Sequence, residues 1–73
     1  MMVMDENKQL ICDLLLPALQ ATRGGSKLVN LFYSVESGRE TVMAEFQGGR
    51  KRVADVTCDS GTALIFDVMR QIF

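Results

Sequence analysis

The chain has 73 residues, 48% of them hydrophobic, with eight basic and nine acidic side chains and no histidine. That length allows one small domain, in which only about 60% of the unfolded surface becomes buried. The near-balanced charge lacks the basic excess of a general nucleic-acid binder, and two cysteines without histidine leave no zinc set and at most one disulfide. Hydrophobic burial is therefore the main source of stability, and association with another chain is the usual supplement at this size.

The opening "MMVM" is too short for a secretory leader or a membrane span, and Asp5 and Glu6 follow it at once. A reducing, cytoplasmic setting with Cys12 and Cys58 as free thiols is expected, with no membrane partner. Ile11, Leu14, Leu15, Ala18, Leu19 and Thr22 fall at helical spacing and predict a helix with those residues on one stripe. Asp5 is the expected cap, Glu6 suits the positive end of the dipole, and Gly24-Gly25 reads as the stop. Pro17 interrupts the backbone bonding, giving either one bent helix or two shorter pieces.

Three strands follow: 28–35, 40–46 and 51–57. Ser37-Gly38 suits a two-residue hairpin turn, which sets Tyr33 opposite Val42, Leu31 opposite Ala44 and Val29 opposite Phe46 on one face. The other face then carries Asn30, Ser34, Thr41 and Glu45, interrupted by Phe32 opposite Met43. A tight Gly48-Gly49 turn puts Val53 on the core face, whereas a wider loop puts Ala54 and Val56 there. The wider loop is preferred because it points Lys51 and Asp55 outward.

Cys58, Gly61, Leu64, Ile65, Val68, Met69 and Ile72 again follow helical spacing, so "TCDSG" is where the last helix opens. Thr57 is the expected cap, Asp59 sits in the first turn, and Gly61 lets the helix start approach the sheet. Both apolar helix stripes need a surface and the sheet offers one good apolar face. The expected architecture is α+β: helix, three-stranded antiparallel meander, helix, a two-layer sandwich with both helices on one sheet face, spanning residues 1–73 as a single domain.

The basic strand running into "VTCDSGTALIFDVMR" resembles small uncharacterised α/β proteins of bacterial prophages and other mobile elements, in which a Val-Thr-x-Asp-Ser stretch opens a final amphipathic helix. The resemblance covers roughly residues 50 to 73. It implies a bacterial or phage origin and a binding role, and brings no catalytic residue with it.

Chemistry-bearing residues point the same way. Ser60-Gly61 lacks the glycine two residues before the serine and the base that a nucleophile elbow needs. Cys58 opens a helix, where a thiolate is favoured, yet its spacing assigns it to the apolar stripe. Cys12, beside the Ile11 stripe, has no partner in sequence. The carboxylates show no metal-loop spacing, and "QGGRKR" lacks the context of a phosphate loop. No catalytic constellation, metal site or cofactor is expected.

Two binding surfaces remain. Phe32 and Met43, joined by Val53 in the wider-loop register or by Ala54 in the tight-turn register, form an apolar patch on the outer sheet face, which two helices on the inner face leave without cover. This patch is expected to serve self-association as a homodimer, or docking on another protein. The alternative is nucleic-acid contact through Arg50, Lys51 and Arg52 on the second turn, with Arg39 and Lys27 joining them. Phe32 and Tyr33 point to opposite faces and provide no common stacking platform.

Overall fold

The computed structural model of the protein describes residues 7–73. Its elements are α1 (Lys8–Gln20), β1 (Leu28–Glu36), β2 (Arg39–Phe46), β3 (Lys51–Asp55) and α2 (Gly61–Ile72). The strands form one antiparallel sheet in the order β1-β2-β3. Both helices pack on one sheet face: Cys12 and Leu19 of α1 and Leu64, Val68 and Ile72 of α2 share a core with Leu31, Val42, Ala44 and Ala54. This is the expected α+β order.

Turn chemistry sets the register. Ser37 and Gly38 have φ of 52° and 79°, the paired positive values of a type I′ turn, whose twist matches that of the strands. Tyr33 stands opposite Val42 and Leu31 opposite Ala44 as the alternation requires. Val29 does not face Phe46. A bulge between Leu28 and Asn30 puts Leu28 there instead, burying it and exposing Val29. The larger apolar side chain gains more from burial, and the shift lets the Gln47 amide reach the Lys27 carbonyl at 2.8 Å.

Gly48 and Gly49, with φ of 89° and 86°, carry the second connection, and the Phe46 amide donates to the Arg50 carbonyl at 2.8 Å. Glu45 therefore pairs with Lys51 and Met43 with Val53. The wider loop is the one formed, and Ala54 and Val56 are buried.

α1 runs unbroken through Pro17 and begins at Asn7, whose side chain accepts from the Leu10 amide. Asp5 and Glu6, expected at this end, lie outside the described residues. The helix stops at Gln20 rather than at Gly24-Gly25. Gly25 is buried within the connection, where a Cβ would strike the Leu19 carbonyl. The buried stripe is also rotated from the expected one. Cys12 is fully buried with Leu19, and Leu15 and Leu16 pack beside them, while Leu14 is 67% exposed and Ala18 is exposed. Apolar residues cover more than half of this helix's circumference, so periodicity admits two phases. Polar anchors choose between them: Lys8 pairs with Glu40, and Gln9 and Gln20 bond to β1.

α2 is capped by Ser60, whose hydroxyl accepts from the Ala63 amide, and not by Thr57. The Thr57 hydroxyl is engaged elsewhere, accepting from the Glu40 amide at 3.0 Å. Cys58 takes φ of 64°, a left-handed conformation that no helix interior tolerates. Helical backbone thus begins only at Gly61, Asp59 precedes the first turn, and Cys58 is exposed instead of lying on the apolar stripe. Gly61, Leu64, Val68 and Ile72 are buried as the spacing requires, with Met69 left exposed. Ser60→Ala is expected to cost about 1 kcal/mol, the usual value for a lost cap, measured by chemical denaturation. An unchanged midpoint would contradict the cap.

Candidate interaction face of the sheet

A three-stranded sheet has two faces and two edges, and among the described residues the helices cover one face while side-chain amides cap part of each edge. On the free edge of β1, the Gln9 side chain acts as a substitute strand: its Oε1 accepts from the Tyr33 amide at 2.9 Å and its Nε2 donates to the Leu31 carbonyl at 3.3 Å. Gln20 donates to the Leu28 carbonyl at 2.9 Å. On the free edge of β3, Gln71 repeats the device, accepting from the Asp55 amide at 2.9 Å and donating to its carbonyl at 3.0 Å. Side-chain amides thus occupy backbone groups that would otherwise be open to pairing with another strand.

Among the described residues nothing packs over the second face. Phe32, Met43 and Val53 form one row straight across the sheet, because Phe32 pairs with Met43 and Met43 with Val53. Phe32 is 42% and Val53 59% exposed. Neighbouring strands lie about 4.8 Å apart, so the three side chains make a single patch. A polar row flanks it on each side: Asn30, Glu45 and Lys51 towards one end, Ser34, Thr41 and Asp55 towards the other. Asn30 donates to Glu45 at 3.2 Å, and Arg39 reaches Asp55 at 3.4 Å.

The basic turn is dispersed. Arg50 lies over the Phe46 ring at 5.2 Å. Lys51 stands opposite Glu45 on the open face, and Arg52, opposite Ala44, belongs to the other. Lys27 shares that end of the sheet through its bond to Gln47, whereas Arg39 starts β2 at the opposite end. Three adjacent cations that alternate faces, one beside a carboxylate and one on an aromatic ring, do not form a continuous phosphate track.

A polar centre that periodicity does not mark lies between the helix starts. Glu40, at the beginning of the central strand, accepts from Lys8 Nζ at 2.5 Å, from the Tyr33 hydroxyl at 2.6 Å and from the Cys58 amide at 3.0 Å. Hydrogen bonds from Lys8, then Tyr33, then the Cys58 amide hold its carboxyl down at about 2, and Glu40 in turn raises the Tyr33 hydroxyl. Nearby, a side-chain hydrogen bond with Asp67 raises the Asp59 carboxyl, while Arg70, 2.7 Å away, lowers that of Asp67. Every oxygen of Glu40 is engaged within the fold, so the centre fastens α1, β1 and the α2 entry to the central strand. Burial pushes the Cys12 thiol up to about 11, which leaves it a packing residue.

A second apolar stripe lies on the outside of α2, where Phe66, Met69 and Phe73 are exposed. Helical periodicity alone does not mark it, because the same spacing that puts Leu64, Val68 and Ile72 in the core accounts for most apolar residues of α2. Arg70 lies over Phe66 at 5.9 Å, and Phe73 meets Phe46 edge to face at 6.0 Å. Its aromatic rings thus have intramolecular partners. Among the described residues no helix is long and apolar enough to cross a membrane. No protein-family model, curated protein or solved structure matches the chain.

Proposed function

We propose that the protein is a non-enzymatic interaction module, of bacterial or phage origin and cytoplasmic setting, that acts through the open face of its sheet. Self-association is the leading use of that face, and docking on another protein is the other. The observation that carries the reading is the Phe32–Met43–Val53 row, an apolar band on the sheet face that no helix covers among the described residues.

Its size sets the expected strength. Three strands about 4.8 Å apart, with about 3.4 Å per residue along β2, give a face of roughly 15 by 25 Å. That footprint falls short of the ~800 Å² per partner of a standard tight interface. Burial at roughly 25 cal/mol per Å² is set against an association cost of about 4–15 kcal/mol, so weak association, of about −4 to −7 kcal/mol, is expected.

The test is Phe32→Ser combined with Met43→Lys, followed by light scattering and circular dichroism. The wild type is expected to be a dimer at high concentration and the double variant a folded monomer. Affinity capture with both proteins covers docking: partners held by the wild type should be lost from the variant. A wild type that stays monomeric at about 1 mM, a concentration that populates even dimers of about −4 kcal/mol, would remove self-association. A variant that keeps every partner would remove the face.

A further inference from the structure

We infer that the occupant of the open face is a second copy of this chain, seated with the two-fold axis along the Phe32–Met43–Val53 row, so that Lys51 of each copy meets Asp55 of the other. This rests on the reading above and adds the partner and its orientation.

Two sheets packed face to face in a closed dimer are related by a two-fold axis lying between them, parallel to both. Two such axes bring the apolar rows together. An axis along the strands exchanges β1 with β3 and lays β2 over itself. Phe32 then faces the partner's Val53, but Glu45 faces the partner's Glu45 and Arg39 the partner's Arg39. Like charges directly opposed oppose association. An axis along the row keeps each strand over its own copy and exchanges the flanking polar rows. Phe32, Met43 and Val53 each meet their own symmetry mates. Asn30 meets the partner's Ser34, Glu45 the partner's Thr41, and Lys51 the partner's Asp55, as the pairing of Asn30, Glu45 and Lys51 in one row and Ser34, Thr41 and Asp55 in the other dictates.

In this second arrangement no like charges of the polar rows oppose, and the Lys51–Asp55 contact occurs twice. Arg39 already lies 3.4 Å from Asp55, so each contact joins an Arg39–Asp55 pair to the partner's Lys51. Aligned sheets cross at about 30°, which moves the flanking rows by only a few ångströms, within the reach of a lysine. The edges are partly capped as well: Gln9 holds the Tyr33 amide and Leu31 carbonyl, and Gln71 both backbone groups of Asp55, which shortens the run of backbone groups an edge-to-edge dimer could use.

Charge exchange tests the orientation. Lys51→Glu and Asp55→Lys are prepared singly and mixed in equal amounts, with sedimentation equilibrium at low salt and circular dichroism to confirm folding. Each alone turns two attractive contacts into two repulsive ones and is expected to weaken self-association by roughly tenfold. In a mixed dimer the introduced glutamate of one chain faces the introduced lysine of the other, and the second contact keeps its native Lys51 and Asp55. The mixture is therefore expected to recover a dimer containing one chain of each kind. Because Asp55 also accepts from the Thr57 amide, Asp55→Asn is the second variant should Asp55→Lys unfold; its mixture with Lys51→Glu should associate better than Lys51→Glu alone. If Lys51→Glu dimerises like the wild type and mixing changes nothing, while Phe32→Ser with Met43→Lys is monomeric, the orientation is wrong and the face stands. If Phe66→Ser is the change that dissociates the dimer, or the wild type is monomeric, the face reading itself fails.

Discussion

Replacing Glu40 by glutamine is expected to destabilise the fold more than the loss of either helix cap, and to flatten its acid sensitivity. Glutamine keeps the shape but removes the charge between Lys8, the Tyr33 hydroxyl and the Cys58 amide. One side chain here joins both helix entries to the central strand, so its loss loosens several elements together. The pH dependence follows from the depressed carboxyl. Glu40 titrates at about 2 in the fold against an ordinary value of 4.5, so its contribution is full above 4.5 and disappears as pH falls through about 2. Denaturation midpoints of wild type and Glu40→Gln should differ most above pH 4.5 and converge near pH 2. Asp59, whose carboxyl is raised, works in the opposite sense, favouring the fold at low pH, and is present in both proteins. A difference independent of pH would show that the Glu40 charge is not what matters.

Leu64→Ala is the second large effect. Leu64 is fully buried at the centre of the face that α2 presents to the sheet. Truncating such a residue costs about 2–5 kcal/mol through lost transfer energy and the cavity left behind. At about 0.05–0.15 kcal/mol per residue, a domain of this length has only about 4–11 kcal/mol in all, so this change takes much of it. Leu14→Ala is the informative control. Helical spacing assigns Leu14 to the core, yet it stands 67% exposed, and its truncation should stay within about 0.5 kcal/mol. Urea denaturation of both variants separates them; equal losses would restore Leu14 to the core and overturn the rotation of α1.

That rotation shows what the sequence does and does not disclose. Strand pairing is legible because local chemistry specifies it: Ser37-Gly38 demands a tight turn, and alternation then places Phe32 beside Met43. The third strand follows from its charges, since only one register turns both Lys51 and Asp55 away from the core. The phase of α1 depends on where Lys8, Gln9 and Gln20 find partners far along the chain, which no local pattern contains. The α2 cap fails for a similar reason. Thr57 and Ser60 are both good caps, and the choice falls to Ser60 because the Thr57 hydroxyl is drawn to the Glu40 backbone. Glu40 itself looks like any surface carboxylate until α1, β1 and the α2 entry converge on it. The open face, by contrast, could be read from pairing and parity alone.

Methionine methyl resonances test the interaction face most directly, because the two candidate patches each carry one. Met43 lies in the centre of the open sheet face and Met69 on the outer stripe of α2. With concentration raised from about 10 µM to about 1 mM, the span over which a dimer of about −4 to −7 kcal/mol assembles, the Met43 methyl should shift while the Met69 methyl stays in place. A Met69 methyl that moves while Met43 remains fixed would contradict the assignment of the sheet face.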